Sequence, residues 1–146
     1  MILVLALFTC AYAQESKRVA SISDMSGTVE VRTMQDKKWV PGQIGMKLSE
    51  GDILRTKANS WAVLNVDGMA QTATCEVKEN SQIKLAQLLE NKKDATQKTL
   101  LDLALGEVLI KAKKLHSEKS KFEVKTPTSI VAVRGTTFSV AVKAVE

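Results

Sequence analysis

The sequence predicts an all-β fold, and three observations carry that prediction. Apolar and polar residues alternate at a period of two through most of the chain, turn residues interrupt it at short intervals, and the stretch from Phe122 to Val140 joins a Thr-Pro corner, a β-branched run, an Arg-Gly-Thr turn and a second alternating run. At 146 residues, 45% hydrophobic and 25% charged, the chain has the composition of one ordinary globular domain, large enough to bury a core without staples. Aromatic residues make up only 4%, so the core should be aliphatic.

The first segment stands apart. Ile2-Leu3-Val4-Leu5-Ala6-Leu7-Phe8 is a short uncharged apolar run, and Ala11-Tyr12-Ala13 is a small-x-small site before Gln14. Residues 1–13 therefore read as a secretory signal peptide, with a mature chain beginning at Gln14. The run is far shorter than the ~20 residues a spanning helix needs, so nothing would hold the cleaved chain in a bilayer. An alternative takes Leu7-Phe8-Thr9-Cys10 as a lipoprotein site, with Cys10 acylated. Residues 14–25 read as an N-terminal linker, and 26–146 as one β domain that reads as cut short at its C-terminal end.

Along the domain, Val29 and Val31 alternate with Glu30 and Arg32, and Ala62, Leu64 and Val66 with Val63, Asn65 and Asp67. Gly27, Pro41-Gly42, Gly45, Gly51-Asp52, Asp67-Gly68, Glu79-Asn80-Ser81, Gly106, Thr126-Pro127 and Gly135 mark the turns. Asp67-Gly68 is the strongest hairpin signal, because a tight turn needs positive φ. Thr74-Cys75-Glu76-Val77 reads as a strand with Cys75, the one thiol outside the export segment, packed inward as a small hydrophobe. Such frequent turns favour a sandwich, barrel or β-solenoid.

Residues 81–114 are ambiguous. Leu85, Leu88 and Leu89 fit one helical face, and Leu101, Ala104, Leu105 and Val108 another; Leu, Ala, Lys and Gln favour helix intrinsically. A period of two instead aligns Ile83 with Leu85, Leu101 with Leu103 and Leu105, and Val108 with Ile110, leaving Glu90 to Gln97 as a polar hairpin loop. Strand is the expectation, because Gly106 is an awkward guest in a helix but suits a bulge or corner.

These residues together carry a resemblance. Gly51-Asp52-Ile53-Leu54-Arg55-Thr56, Ser60-x-Ala62-x-Leu64, Asp67-Gly68, Phe122-x-Val124-x-Thr126-Pro127 and Val133-Arg134-Gly135-Thr136-x-Phe138-x-Val140 resemble the FecR-type domain. Gly27-x-Val29-x-Val31, Trp39 and Leu105-Gly106-x-Val108 fall in step with it, so the likeness runs from 26 to 142. The resemblance implies an all-β domain of short strands, solenoid or sandwich-like, exposed outside the cytoplasmic membrane. In the best-known members that domain belongs to an anti-sigma regulator relaying a signal from an outer-membrane transporter. Here the segment before the domain reads as signal-like rather than as a sigma-binding helical domain, so only fold, exported location and binding are carried over.

The motif residues also have structural readings. Gly51, Gly68 and Gly135 supply turn geometry, while Asp52, Asp67, Thr56 and Thr136 can take turn amides. Arg134 either pairs with a carboxylate such as Asp52 or contacts a ligand, and Pro127 and Phe138 complete the motif's corner and strand. Trp39 and Trp61 are packing or rim residues, with stacking on a sugar as the alternative.

Catalytic constellations are not evident. His116 is the single histidine, which excludes paired-imidazole sites within the chain, and no nucleophile elbow or phosphate loop occurs. The expectation is a non-enzyme with no cofactor or metal. Net charge is +5, and +4 of it falls between 111 and 125, from Lys111, Lys113, Lys114, Lys119, Lys121 and Lys125 against Glu118 and Glu123. This span reads as a hairpin edge and its loop, where the lysines either guard the edge or attract anionic polymers and lipids. With Phe122 alone interleaved, nucleic acid is not an expected partner. Two function classes follow: an envelope module that senses a ligand or protein partner, or a structural, adhesive surface protein that binds anionic glycan through the lysine edge.

Overall fold

The computed structural model describes residues 15–66, 73–93, 96–112, 120–133 and 137–142, with the backbone alone at 137, 138 and 142. Their regular structure is entirely β. The strands are β1 (Glu15–Lys17), β2 (Ala20–Ser26), β3 (Val29–Arg32), β4 (Val40–Pro41), β5 (Lys47–Leu48), β6 (Ile53–Thr56), β7 (Trp61–Asn65), β8 (Ala73–Val77), β9 (Gln82–Asn91), β10 (Thr96–Ala112), β11 (Lys121–Lys125), β12 (Ile130–Val133) and β13 (Thr137–Val142). Among the described residues no helix is long and apolar enough to cross a membrane.

The strands form one continuous sheet that curls over on itself, ordered β4-β3-β6-β9-β10-β8-β7-β2-β5. The 17-residue β10 belongs to both halves. Its first part, Thr96 to Leu105, pairs with β9, and Val108 to Ala112 pair with β8. On its other side it takes β11 and then β13, while β12 completes the sheet beyond β11. β1 pairs with the end of β9.

Alternation explains the core. Every second residue of β3, β6, β7 and β8 points inward, and the two halves meet over a single apolar cluster that includes Ile22, Val31, Leu54, Leu64, Cys75, Ile83, Leu103 and Ile110. Each fully buried Leu or Ile stabilises by about 1.5–3 kcal/mol. Among the described residues Phe122 is the one aromatic side chain in this cluster. Burial drives the Cys75 thiol pKa far upward, as expected of a thiol packed as a hydrophobe.

Residues 82–91 and 96–112 are strand and no described residue between them is helical, so tertiary pairing overrides helix propensity there. The corner lies at Gly106, whose φ is +96°. The β9–β10 register slips between Leu103 and Leu105, and β10 passes from one half to the other. A Cβ on Gly106 would lie 2.0 Å from Ser81 Oγ and 2.5 Å from Ser81 Cα. Ser81 uses the notch, its Oγ accepting from Glu107 N at 2.9 Å.

Four sequence expectations change. Leu105 does not share the buried face of Leu101 and Leu103: the slip turns it outward, to 40% exposure. The polar loop is shorter than Glu90 to Gln97, since β9 runs to Asn91 and β10 starts at Thr96. Residues 15–25 are not a linker, because β1 and β2 pair into the sheet and bury Ala20 and Ile22. The lysine-rich span is not a hairpin edge, because β11 runs parallel to β10 with Lys121 opposite Lys98, so the chain crosses back to the start of β10. Asp67-Gly68 lies outside the described residues, although the flanking β7 and β8 pair antiparallel with Asn65 opposite Thr74.

Candidate functional site

Gly51 and Asp52 shape one end of the curled sheet. Gly51 adopts φ +92°, and a Cβ there would meet Met34 Sδ at 2.0 Å. The buried Asp52 carboxylate accepts Ser49 N at 2.8 Å and Met34 N at 3.3 Å, tying the loop after β3 to the turn before β6. Thr56, at the other end of β6, accepts Ser81 N at 3.0 Å and donates to Lys78 O. At the β11–β12 turn, Thr126 N donates to Ser129 O at 2.8 Å and Ser129 N to Thr126 Oγ1 at 3.1 Å, around Pro127. These motif residues serve the scaffold.

Beside the Asp52 tether lies a cleft of about 260 Å³ lined by Arg32, Thr33, Met34, Lys37, Gly51, Ile53 and Lys84. Sheet register builds it: Arg32 stands opposite Ile53, and Ile53 opposite Lys84, so one cross-strand row presents a cation on each side of an isoleucine. The Arg32 guanidinium lies 5.1 Å from the Trp39 ring centroid, and that of Arg55 lies 3.8 Å from it. Arg55 in turn grips Glu30 through two contacts of 3.3 Å, with Lys57 3.7 Å away. The Arg55 hydrogen bond is the main cause of the lowered Glu30 pKa. Trp39 is thus engaged by guanidiniums at the rim of the sheet.

A second cleft holds Asn59, Ser60, Trp61, Glu76, Lys78, Glu79 and Glu107. Its carboxylates are committed locally: Glu76 to Lys78 at 2.8 Å, Glu79 to Asn59 N at 2.8 Å and Glu107 to Ser139 Oγ at 2.6 Å. No cluster of three or more His, Cys, Asp or Glu side chains among the described residues is arranged to hold a metal.

The lysine candidates divide. Lys121 and Lys125 are exposed on β11, whereas Lys111 lies on the other half, opposite Thr74 and Thr137. Lys113, Lys114, Lys119, Arg134, Asp67, Gly68, Gly135 and Thr136 lie outside the described residues, as does the Phe138 side chain.

The sequence reading missed Arg18. This side chain is buried, and its guanidinium donates to Val66 O at 2.6 Å, Leu89 O at 3.2 Å, Lys98 O at 3.1 Å and the Thr99 hydroxyl. It clasps the start of the chain to β9, β10 and the end of β7. The alternation of Ala20 and Ile22 could have revealed β2, but no short-range pattern marks an arginine whose partners lie 48 to 81 residues away.

No curated protein and no solved structure matches the chain. The model of the family described as FecR protein matches residues 52–145, from Asp52 before β6 through β13, while β1 to β5 lie ahead of the match in the same sheet. With well over half of its length matched, the chain belongs to the FecR protein family.

Proposed function

We propose that this chain is a non-enzymatic, exported FecR-like domain that works as a binding or signal-sensing module of the cell envelope. The family match over residues 52–145 carries the reading, because the family is a regulatory and signalling one. The scaffold roles of Asp52, Thr56 and Thr126 are consistent with it, since they spend the motif on holding a surface rather than on activating a nucleophile. Export rests on the signal-like residues 1–13, and places the module in the periplasm or at the cell surface.

Crosslinking in intact cells, followed by mass spectrometry of partners and intact-mass analysis of the purified chain, tests both parts. The expected result is a mature N-terminus at Gln14 and reproducible crosslinks to one envelope protein. A chain recovered uncleaved from the cytoplasm would remove the exported role. Crosslinks confined to anionic surface glycan would replace sensing by the adhesive alternative.

A further inference from the structure

From the cleft beside the Asp52 tether we infer a binding site for a phosphate group, with Arg32, Lys37 and Lys84 as its ligands. Three cations line the cleft with Met34 and Ile53, and no carboxylate lines it with them. Among the described residues none of the three has a carboxylate within ion-pair distance, although Asp36 lies in the same loop and Asp102 stands opposite Lys84 on β10. Four other cations among the described residues are ion-paired: Arg55 and Lys57 with Glu30, Lys78 with Glu76, and Lys98 with Glu15.

The cleft is also built in advance of a ligand. Strand register fixes Arg32 and Lys84 on either side of Ile53, and the Trp39 ring supports the Arg32 guanidinium. Asp52 holds the backbone of Met34, three residues before Lys37. A guanidinium fork with two ammonium groups matches a dianion with three terminal oxygens better than a single carboxylate. The cleft's volume of about 260 Å³ falls below the roughly 300–1,000 Å³ of pockets that enclose drug-sized ligands, so it suits a phosphorylated headgroup rather than a whole molecule. The chain's net charge of +5 draws anions toward it. This site deepens the sensing role and rests on it for biological meaning, while its chemistry stands alone.

The test is titration of the purified protein with inorganic phosphate and pyrophosphate, followed by backbone amide shifts in NMR. Expected are saturable shifts at residues 32–38, 51–53 and 84, weakened by roughly threefold or more in each of Arg32→Gln and Lys84→Gln. Because Arg32 also supports Trp39, the Lys37→Gln/Lys84→Gln double variant provides a second measurement that leaves the stack intact. Lys121→Gln, away from the cleft, should bind as the parent does.

Shifts absent from these amides, or unchanged in the double variant, would overturn the site. Co-sedimentation with phosphatidylglycerol vesicles, competed by pyrophosphate and lost in the double variant, identifies a lipid headgroup. Phosphate binding without vesicle retention identifies a soluble phosphorylated ligand. A protein that crosslinks to its envelope partner but ignores phosphate loses the site and keeps the sensing role; one that binds phosphate but crosslinks to nothing keeps the site and loses the role.

Discussion

Arg18 and Arg55 carry the same guanidinium and use it in opposite surroundings. Arg18 is buried and donates to three backbone carbonyls and a threonine hydroxyl, from strands that lie far apart in sequence. Arg55 lies half-exposed on the outer face, where it meets the Glu30 carboxylate and the Trp39 ring. Partner chemistry differs with burial. Inside, removal of the arginine would strand acceptors that water cannot reach, at about 1–3 kcal/mol each. Outside, water replaces whatever is lost, and a cation over an exposed ring contributes only about 0.5–1 kcal/mol.

The largest expected effect tests that contrast directly. Arg18→Ala should destabilise the protein by about 3 kcal/mol or more, read as a lowered urea midpoint at unchanged slope. Arg18→Lys should restore little, since an ammonium cannot reproduce the planar fork. Arg55→Ala should move the midpoint far less. Equal losses at the two positions would show that the Arg18 carbonyls find new partners, and would break the comparison.

Gly106→Ala comes next, at about 1–3 kcal/mol. Its positive φ resists a side chain, and the added carbon would press on Ser81 Cα, a backbone atom that cannot swing aside. Ser81→Ala should cost less, because it removes the hydroxyl that accepts Glu107 N but introduces no strain. If both variants melt with the parent, the corner is not held by this notch.

The smallest effect sharpens the comparison through pH. The folded-state pKa of Glu30 is lowered, first by the hydrogen bond from Arg55, so its contribution is complete above the unfolded value of ~4.3. That contribution disappears as pH falls through the lowered folded value. Glu30→Gln should therefore lose a slight acid-dependent slope that the parent shows below about pH 4.3. The four Arg18 partners named above, three carbonyls and a hydroxyl, do not titrate in that window.

Cys75 offers a separate check on the core. With its pKa raised by burial, the thiol should resist alkylation at pH 8 in the folded protein and react promptly in urea. Rapid labelling without denaturant would mean that β8 opens locally.

How much of this was legible in sequence depends on the range of the interaction. Alternation revealed β3, β7 and β8, and with Gly106 it decided for strand in β9 and β10. Turn chemistry pointed to Asp52 and Thr56 as acceptors of backbone amides, which they are. Legibility ended where register between distant strands takes over. Arg32 and Lys84 face one cleft because β6 separates them by a single residue laterally, and no window of sequence spans that relation. The parallel entry of β11 was hidden for the same reason, since a strand's pattern does not say which edge it will join. Arg18 was hidden twice over, as a buried cation in a segment with little alternation of its own.

The distance between Arg18 and Thr99 also sets a clock. Thr99 lies 81 residues downstream, and β11 must return to the start of β10 after the corner has been turned. Folds that depend on such remote pairings form slowly, because long loops must close before any contact rewards them. At a synthesis rate of about 5–20 residues per second, Arg18 waits roughly 4–16 s for Thr99 to be made at all. During that interval the emerging chain cannot complete its core. The topology itself thus delays completion of the core until β10 and β11 have been made.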